Sequence, residues 1–328
     1  MEYHELNPLI RGRELELISK ETFDRMLQVD SIEDLGEILK TTIYSPYIHE
    51  GFEYDFEDNL AKERSELFKW LKESSPEPEI VWIYTMRYTF HNLKVLTKSE
   101  MTGKDLDHLF IDDGFYTLEE VKDAIHTQAS SVLPSNLMTC IKEVREYFDA
   151  SSVLQGIDVI YDRCFLTEQR RLGEKLGYQE LLEEIIAFID LTNITTMARG
   201  ILQQQSLGFM TTVISSSGEI AKENFLSFVH SDLESYIQFL QSTNYSELLK
   251  PVIQDETIDL VRLEQLKDDY LSSYYQIAQT QAFGPLPLLA FMNAKEVECK
   301  NLRLLIIGKR NHFSIEQLKE RMRQVYDA

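Results

Sequence analysis

Residues 293–311 read NAKEVECKNLRLLIIGKRN, Asn293 to Asn311. Cys299, Leu302 and Leu305 stand at offsets −2, +1 and +4 from Asn301 and form one apolar stripe of a helix. An asparagine in such a seam costs about 0.5–0.7 kcal/mol of helix propensity relative to alanine. If the cost recurs at matching places, it belongs to an architecture. Around Asn92, in IYTMRYTFHNLKVLTKSE, the same offsets are Phe90, Leu93 and Leu96. Around Asn193, in IIAFIDLTNITTMARG, they are Leu191, Ile194 and Met197. The second position after each asparagine is Lys94, Thr195 or Arg303. Asn92, Asn193 and Asn301 are 101 and 108 residues apart. Recurrence at about 100 residues predicts a helical unit present three times, not a short-period solenoid.

A second element recurs twice. LKTTIY (Leu39–Tyr44) and LQSTNY (Leu240–Tyr245) share L-x-x-T-x-Y, and prolines follow at Pro46 and Pro251. Thr42 and Thr243 can hydrogen-bond the orphan carbonyls of a preceding helix, and Tyr44 and Tyr245 can cover its end. The segment DAIHTQASSVL, where a third copy is due, lacks the pattern. The opening NPLIRGRELELIS reads as a helix with Asn7 as N-cap and Pro8 at the first helical position.

Around these elements the chain reads as all-α. Most segments fit a 3.6-residue period better than alternation. Only 13 Gly and 8 Pro in 328 residues leave few breakers. LDHLFIDDGFYTLEEVKDAI predicts a helix, an Asp-Gly turn and a new helix capped by Thr117. NHFSIEQLKERMRQVYDA predicts Ser314 and Gln317 in a capping box, then an amphipathic helix running on to the last residues. SSPEPEIVW and FGPLPLL interrupt helices, and SSSGEIAKENFLSFV is a loop leading into a helix. No run of strands stands out. The length exceeds what one core ordinarily serves, which favours two or three lobes.

Net charge narrows the partners. The formal charge of −22 argues against nucleic acid and anionic lipid, both of which would repel the chain, and permits a basic protein partner. Solubility alone is the competing account. Cys140, Cys164 and Cys299 are isolated and odd in number, which favours free thiols. The opening segment has no apolar core of the signal-peptide kind, and no uninterrupted apolar run approaches the roughly 18–20 residues of a membrane span.

A search for chemistry finds little. G-x-x-x-x-G-K-[ST], G-x-G-x-x-G and G-x-S-x-G are all missing, and no two histidines stand at H-x-x-x-H spacing. Glu53 and Glu57 share a helical face at i, i+4 and could hold a hard cation, against the plainer reading of a solvated acidic helix start. Catalytic, cofactor and metal residues are therefore not assigned. Basic residues near the repeated asparagines carry more: Lys94, Arg199 and Arg303, with Arg11 and Arg13 beside Asn7. They could line a shared partner-facing surface. Ion pairs within each lobe, such as Glu296 with Lys300, are the alternative.

Taken in order, the three asparagine-centred helices, the closing AKEVECKNLRLLIIGK, the L-x-x-T-x-Y elements and the opening segment resemble the C subunits of prokaryotic V-type (A-type) ATPases, the counterparts of the eukaryotic d subunit. The resemblance covers essentially the whole chain. It implies an all-helical, funnel-shaped fold of three similar lobes about a pseudo-three-fold axis, roughly residues 1–30 plus 270–328, 31–130 and 131–269. It implies a non-catalytic central-stalk rotor part, peripheral on the cytoplasmic face of the membrane. Its partners would be the D- and F-type shaft subunits and the membrane proteolipid ring. The repeated asparagines are expected to bond helix to helix and fix register. A helical scaffold or adaptor unrelated to rotary ATPases is the main alternative, and a metal-dependent hydrolase using Glu53, Glu57 and a distant histidine a second.

Overall fold

Helical periodicity becomes sixteen α-helices among the described residues of the computed structural model, which are 2–112, 115–254 and 256–326. In chain order they are α1 (Tyr3–Glu14), α2 (Lys20–Gln28), α3 (Ile32–Leu39), α4 (Phe56–Ser74), α5 (Pro78–Thr102), α6 (Leu118–Thr127), α7 (Ser135–Ser151) and α8 (Leu154–Leu176). There follow α9 (Gln179–Leu202), α10 (Leu207–Val213), α11 (Lys222–Leu226), α12 (Leu233–Leu240), α13 (Ser246–Leu249), α14 (Leu260–Ser273), α15 (Leu286–Arg310) and α16 (Ile315–Lys319). The described strands are β1 (Ile253–Gln254) and β2 (Thr257–Ile258), one short antiparallel pair. The fold is all-α. The chain divides into two compact units, residues Met1–Val81 with Asp268–Ala328, and residues Trp82–Lys267.

The first unit is built from both ends of the sequence. Its core gathers Phe23, Met26 and Leu27 of α2, Leu35 and Leu39 of α3, Phe52, Phe56 and Leu60, around Leu302, Leu305 and Ile306 of α15. Each such side chain contributes about 1.5–3 kcal/mol on burial. Serine caps set where the N-terminal helices start: Ser19 accepts from Thr22 N at 3.2 Å and Ser31 from Asp34 N at 3.0 Å. At the other end of α2, buried Lys309 donates to the Leu27 carbonyl at 2.7 Å, satisfying a carbonyl the helix leaves orphaned.

Three sequence expectations change here. Asn7 and Pro8 lie inside α1, not at its start, and the residue before the helix is Glu2, paired with Glu5 in a capping box. Asn7 is buried and donates to the carbonyls of Ala282 and Gly284 at 3.0 and 3.1 Å, so tertiary bonds outweigh its capping preference. Glu53 and Glu57 do not share a helical face, because Glu53 belongs to a 3₁₀ turn (Phe52–Tyr54) that ends before α4. Ser314 and Gln317 do form the capping box of α16, but that helix stops at Lys319 and the following residues run without helix through Tyr326.

The second unit packs α7, α8 and α9 as successive antiparallel neighbours, with α10 against α8 and α12 against α9. Short turns at Ser152 and Gly177 allow this, both in the left-handed region with φ of 55° and 73°. Half of the residues of helix α9 are buried. An 18-residue window of it has mean hydropathy 1.4, long and apolar enough to cross a membrane, and 61% of that window is buried. A search for uninterrupted apolar runs passes over it, because Asp190 and Asn193 break the run. Both are hydrogen-bonded within the unit, which is how a core helix behaves. Thr117 caps α6 with Glu120 in a capping box. The segment before it is a 3₁₀ turn (Asp107–Leu109) and not an α-helix, and the Asp113–Gly114 turn lies outside the described residues.

Candidate functional site

The three asparagines make one and the same contact. Asn92 donates from Nδ2 to the Ile111 carbonyl at 2.6 Å and accepts the Ile111 N–H at 2.8 Å. Asn193 does this to Ser215, at 2.9 Å in both directions. Asn301 does it to Arg323, at 3.0 and 2.9 Å. Each carboxamide therefore straps a non-helical residue 19 or 22 positions downstream, instead of bonding helix to helix as expected. The physical reason is geometric. A carboxamide offers donor and acceptor side by side, and so does one extended residue; the pairing copies the doubly bonded pair of an antiparallel sheet.

The L-x-x-T-x-Y elements also act alike. Thr42 donates to the Leu39 carbonyl at 2.7 Å and accepts the Tyr44 N–H at 3.2 Å. Thr243 donates to the Leu240 carbonyl at 2.7 Å and accepts the Tyr245 N–H at 3.3 Å. Each threonine thus closes the end of α3 or α12 and aims the tyrosine inward. Tyr44 Oη then donates to Glu298 at 2.6 Å, and Tyr245 Oη to Asp190 at 3.1 Å. Sequence reasoning missed these two acids. Both lie three residues before a repeated asparagine, where the third copy has buried Thr89. The copy without the acid is the copy without L-x-x-T-x-Y, and aligning the chain on itself would have exposed that correlation.

Both acids collect further donors. Glu298 accepts the Ile18 N–H at 2.6 Å and Lys295 Nζ at 2.9 Å, and Lys295 also donates to Tyr44 Oη at 2.8 Å. Asp190 accepts the N–H groups of Glu219 and Ile220 at 3.0 and 3.1 Å. Burial pushes its carboxyl above the usual range, opposed by the Ile220, Tyr245 and Glu219 hydrogen bonds. Gly218 makes that loop possible, since a Cβ there would lie 2.1 Å from Asp190 Oδ1. Gly218→Ala is expected to displace the carboxylate and cost about 1–3 kcal/mol by overpacking. Urea denaturation checks this, and an unchanged midpoint would contradict it.

The strap at Asn301 is reinforced. Asp268 Oδ2 holds the Lys300 and Arg323 side chains at 3.2 and 3.1 Å, and Asp269 accepts the Gln324 N–H at 3.0 Å. Burial pushes Asp268 up, but Lys300 and Arg323 outweigh it and hold the carboxyl below its ordinary value. A carboxyl depressed on folding stabilises above its unfolded pKa, about 3.9, and loses that contribution as pH falls through the folded value. Asp268→Asn should therefore be less stable than wild type near pH 7, with the two converging on acidification below about pH 4. Denaturation midpoints over that range provide the measurement, and a pH-independent gap would refute the assignment.

Of the five basic residues singled out in the sequence, Arg11, Lys94, Arg199 and Arg303 have carboxylate partners within their own units, while the Arg13 guanidinium lies over the Trp70 ring, 4.1 Å from its centroid. Arg11 holds Glu14 in a two-oxygen contact at 2.9 and 2.8 Å and also donates to the Ala278 carbonyl. Lys94 pairs with Asp162, Arg199 with Glu264 at 3.1 Å, and Arg303 with Glu57 at 2.6 Å. Lys300 reaches Asp268, while Glu296 faces Arg64 at 3.9 Å. Glu57 is thus engaged by a guanidinium, and no cluster of three His, Cys, Asp or Glu suited to a metal ion occurs among the described residues.

The described residues thus form an all-α chain in which one asparagine strap is used three times. The family profile that matches residues 6–321 is described as ATP synthase (C/AC39) subunit. The C subunit of the V-type sodium ATPase of Enterococcus hirae is 77% identical over 327 residues, covering 100% of both chains. Its counterpart in the A-type ATP synthase of Methanocaldococcus jannaschii is 21% identical over 97% of this chain and 85% of its own. That of Thermococcus kodakarensis is 24% identical over 92% and 84%. The chain belongs to the C/AC39 family, the C subunits of V-type and A-type ATPases.

Proposed function

We propose that this chain is a non-catalytic central-stalk component of a rotary ATPase. It couples the D- and F-type shaft subunits to the membrane proteolipid ring on the cytoplasmic face, and passes torque between them. The observation that carries this reading is the full-length likeness to the C subunit of the Enterococcus hirae enzyme. That relative's name also supports sodium as the ion moved by the whole assembly.

A torque coupler must be stiff. Three long helices strapped to their own downstream chain by paired hydrogen bonds supply stiffness beyond close packing. On this reading each strap marks one of three quasi-equivalent helical lobes. Arg11, Lys94, Arg199 and Arg303 then serve the partner-facing surface, with their carboxylate partners holding them in place for polar docking.

Removal of this chain from the complex tests the proposal. The soluble catalytic part should still hydrolyse ATP, while shaft and ring subunits no longer co-purify from membranes and ion transport is lost. Adding back the purified chain should restore both. Coupled transport in its absence would overturn the reading.

A further inference from the structure

The rotor reading makes no use of the cysteines, yet two of them meet. Cys140 lies on α7 and Cys164 on α8, the arms of a hairpin that turns at Ser152. Each is twelve positions from that turn (152 − 140 and 164 − 152), so antiparallel packing sets them opposite one another. Neighbouring contacts fix the same register. Arg163 beside Cys164 pairs with Glu143, one turn on from Cys140. Gly156 lets the Tyr147 ring lie against the α8 backbone, where a Cβ would come within 2.1 Å of Tyr147 Cε1. The two thiols are free and half-buried, and a hydrogen bond between them is the leading cause of the shifts in their acidity. That bond, with help from Arg163, draws Cys164 below the ordinary thiol value, while the same bond and burial push Cys140 up. Cys299 differs: it is fully enclosed, and burial pushes it up to about 12.

We propose that Cys140 and Cys164 are a reversible oxidation site for hydroperoxides, closing into a disulfide across the α7–α8 hairpin. The Cys164 thiolate attacks one oxygen of hydrogen peroxide, the O–O bond breaks, and the departing hydroxide takes the proton that Cys164 has shed. Cys164 becomes a sulfenic acid. The Cys140 sulfur then attacks the Cys164 sulfur, the S–O bond breaks, and the leaving hydroxide takes the Cys140 proton as water. Two thiols and one peroxide give one disulfide and two waters, with the peroxide oxygens reduced and the sulfurs oxidised. A thiol exchanging with the disulfide returns the reduced pair.

The test is a thiol titration of the full chain with hydrogen peroxide, followed by denaturation, alkylation and peptide mapping. Two of the three thiols should disappear together, the mass should fall by about 2 Da, and a Cys140–Cys164 cross-linked peptide should appear and vanish with dithiothreitol. Cys299 should remain alkylatable after denaturation. Cys140→Ser should leave a sulfenic acid on Cys164 that dimedone traps, and Cys164→Ser should abolish the fast reaction. Independent over-oxidation of Cys140 and Cys164 without a link, a link to Cys299, or no loss of thiols at all would overturn the proposal. The wild-type mapping decides the matter even if either variant folds poorly.

Discussion

Lys295→Met is expected to lower stability by about 3–5 kcal/mol, because it breaks a buried ion pair and leaves the carboxylate inside. The Lys295 and Glu298 side chains are only 5% and 3% exposed and sit 2.9 Å apart. Glu298 would keep Tyr44 Oη and the Ile18 N–H as donors but lose the ammonium that balances its charge. Glu298→Gln alone strands the ammonium, which still has Tyr44 Oη, and should cost a similar amount. The double change Lys295→Met with Glu298→Gln should be milder than the sum of the two, since no unpaired charge then remains. A thermodynamic cycle from urea denaturation yields the coupling. Strict additivity of the two losses would mean that the pair does not act as a unit.

Asn193→Leu should cost about 2–4 kcal/mol, as the N–H and C=O of Ser215 lose their partners in a buried place. Asn193 and Ser215 are each 1% exposed, so water cannot replace the carboxamide. Helix content of the native state should be unchanged, because the strap joins α9 to a loop and contributes nothing to helix hydrogen bonding. Asn193→Asp separates the two bonds: it keeps an acceptor for the Ser215 N–H and removes the donor to its carbonyl. Asn301→Leu should lose less, since Arg323 is part-exposed and its freed backbone groups can reach water. If leucine at position 193 were neutral or stabilising in urea denaturation, the strap would have no energetic weight.

The helices were readable because their signals are local. Serine caps, a capping box at Thr117 and stripes at 3.6-residue spacing act within a few residues, and α6, α15 and the start of α16 follow them. The recurrence of Asn92, Asn193 and Asn301 was equally plain. Its chemistry was not, because the partners lie 19 or 22 residues further on in segments with no periodicity. The premature end of α16 has the same origin: residues that would suit a helix are taken by Asn301, Asp268 and Asp269. Asn7 misled for a related reason, since its local preference for a cap yields to carbonyls 275 and 277 positions away. The acids Glu298 and Asp190 could have been found by internal comparison, whereas the carboxylates that hold Arg199 and Arg303 could not, because ion-pair partners leave no periodic trace.

The first unit draws on residues 1–81 and 268–328, whereas the second is one uninterrupted stretch. During synthesis on the ribosome the second unit is complete before α15 exists. Phe23, Met26, Leu35 and Leu39 must meanwhile wait with their apolar faces uncovered, since Leu302, Leu305 and Ile306 are translated only after the whole second unit. The chain therefore matures from the middle outward, through contacts of large sequence separation that close slowly. Nascent α2 and α3 are the surfaces for which a chaperone would compete in that interval.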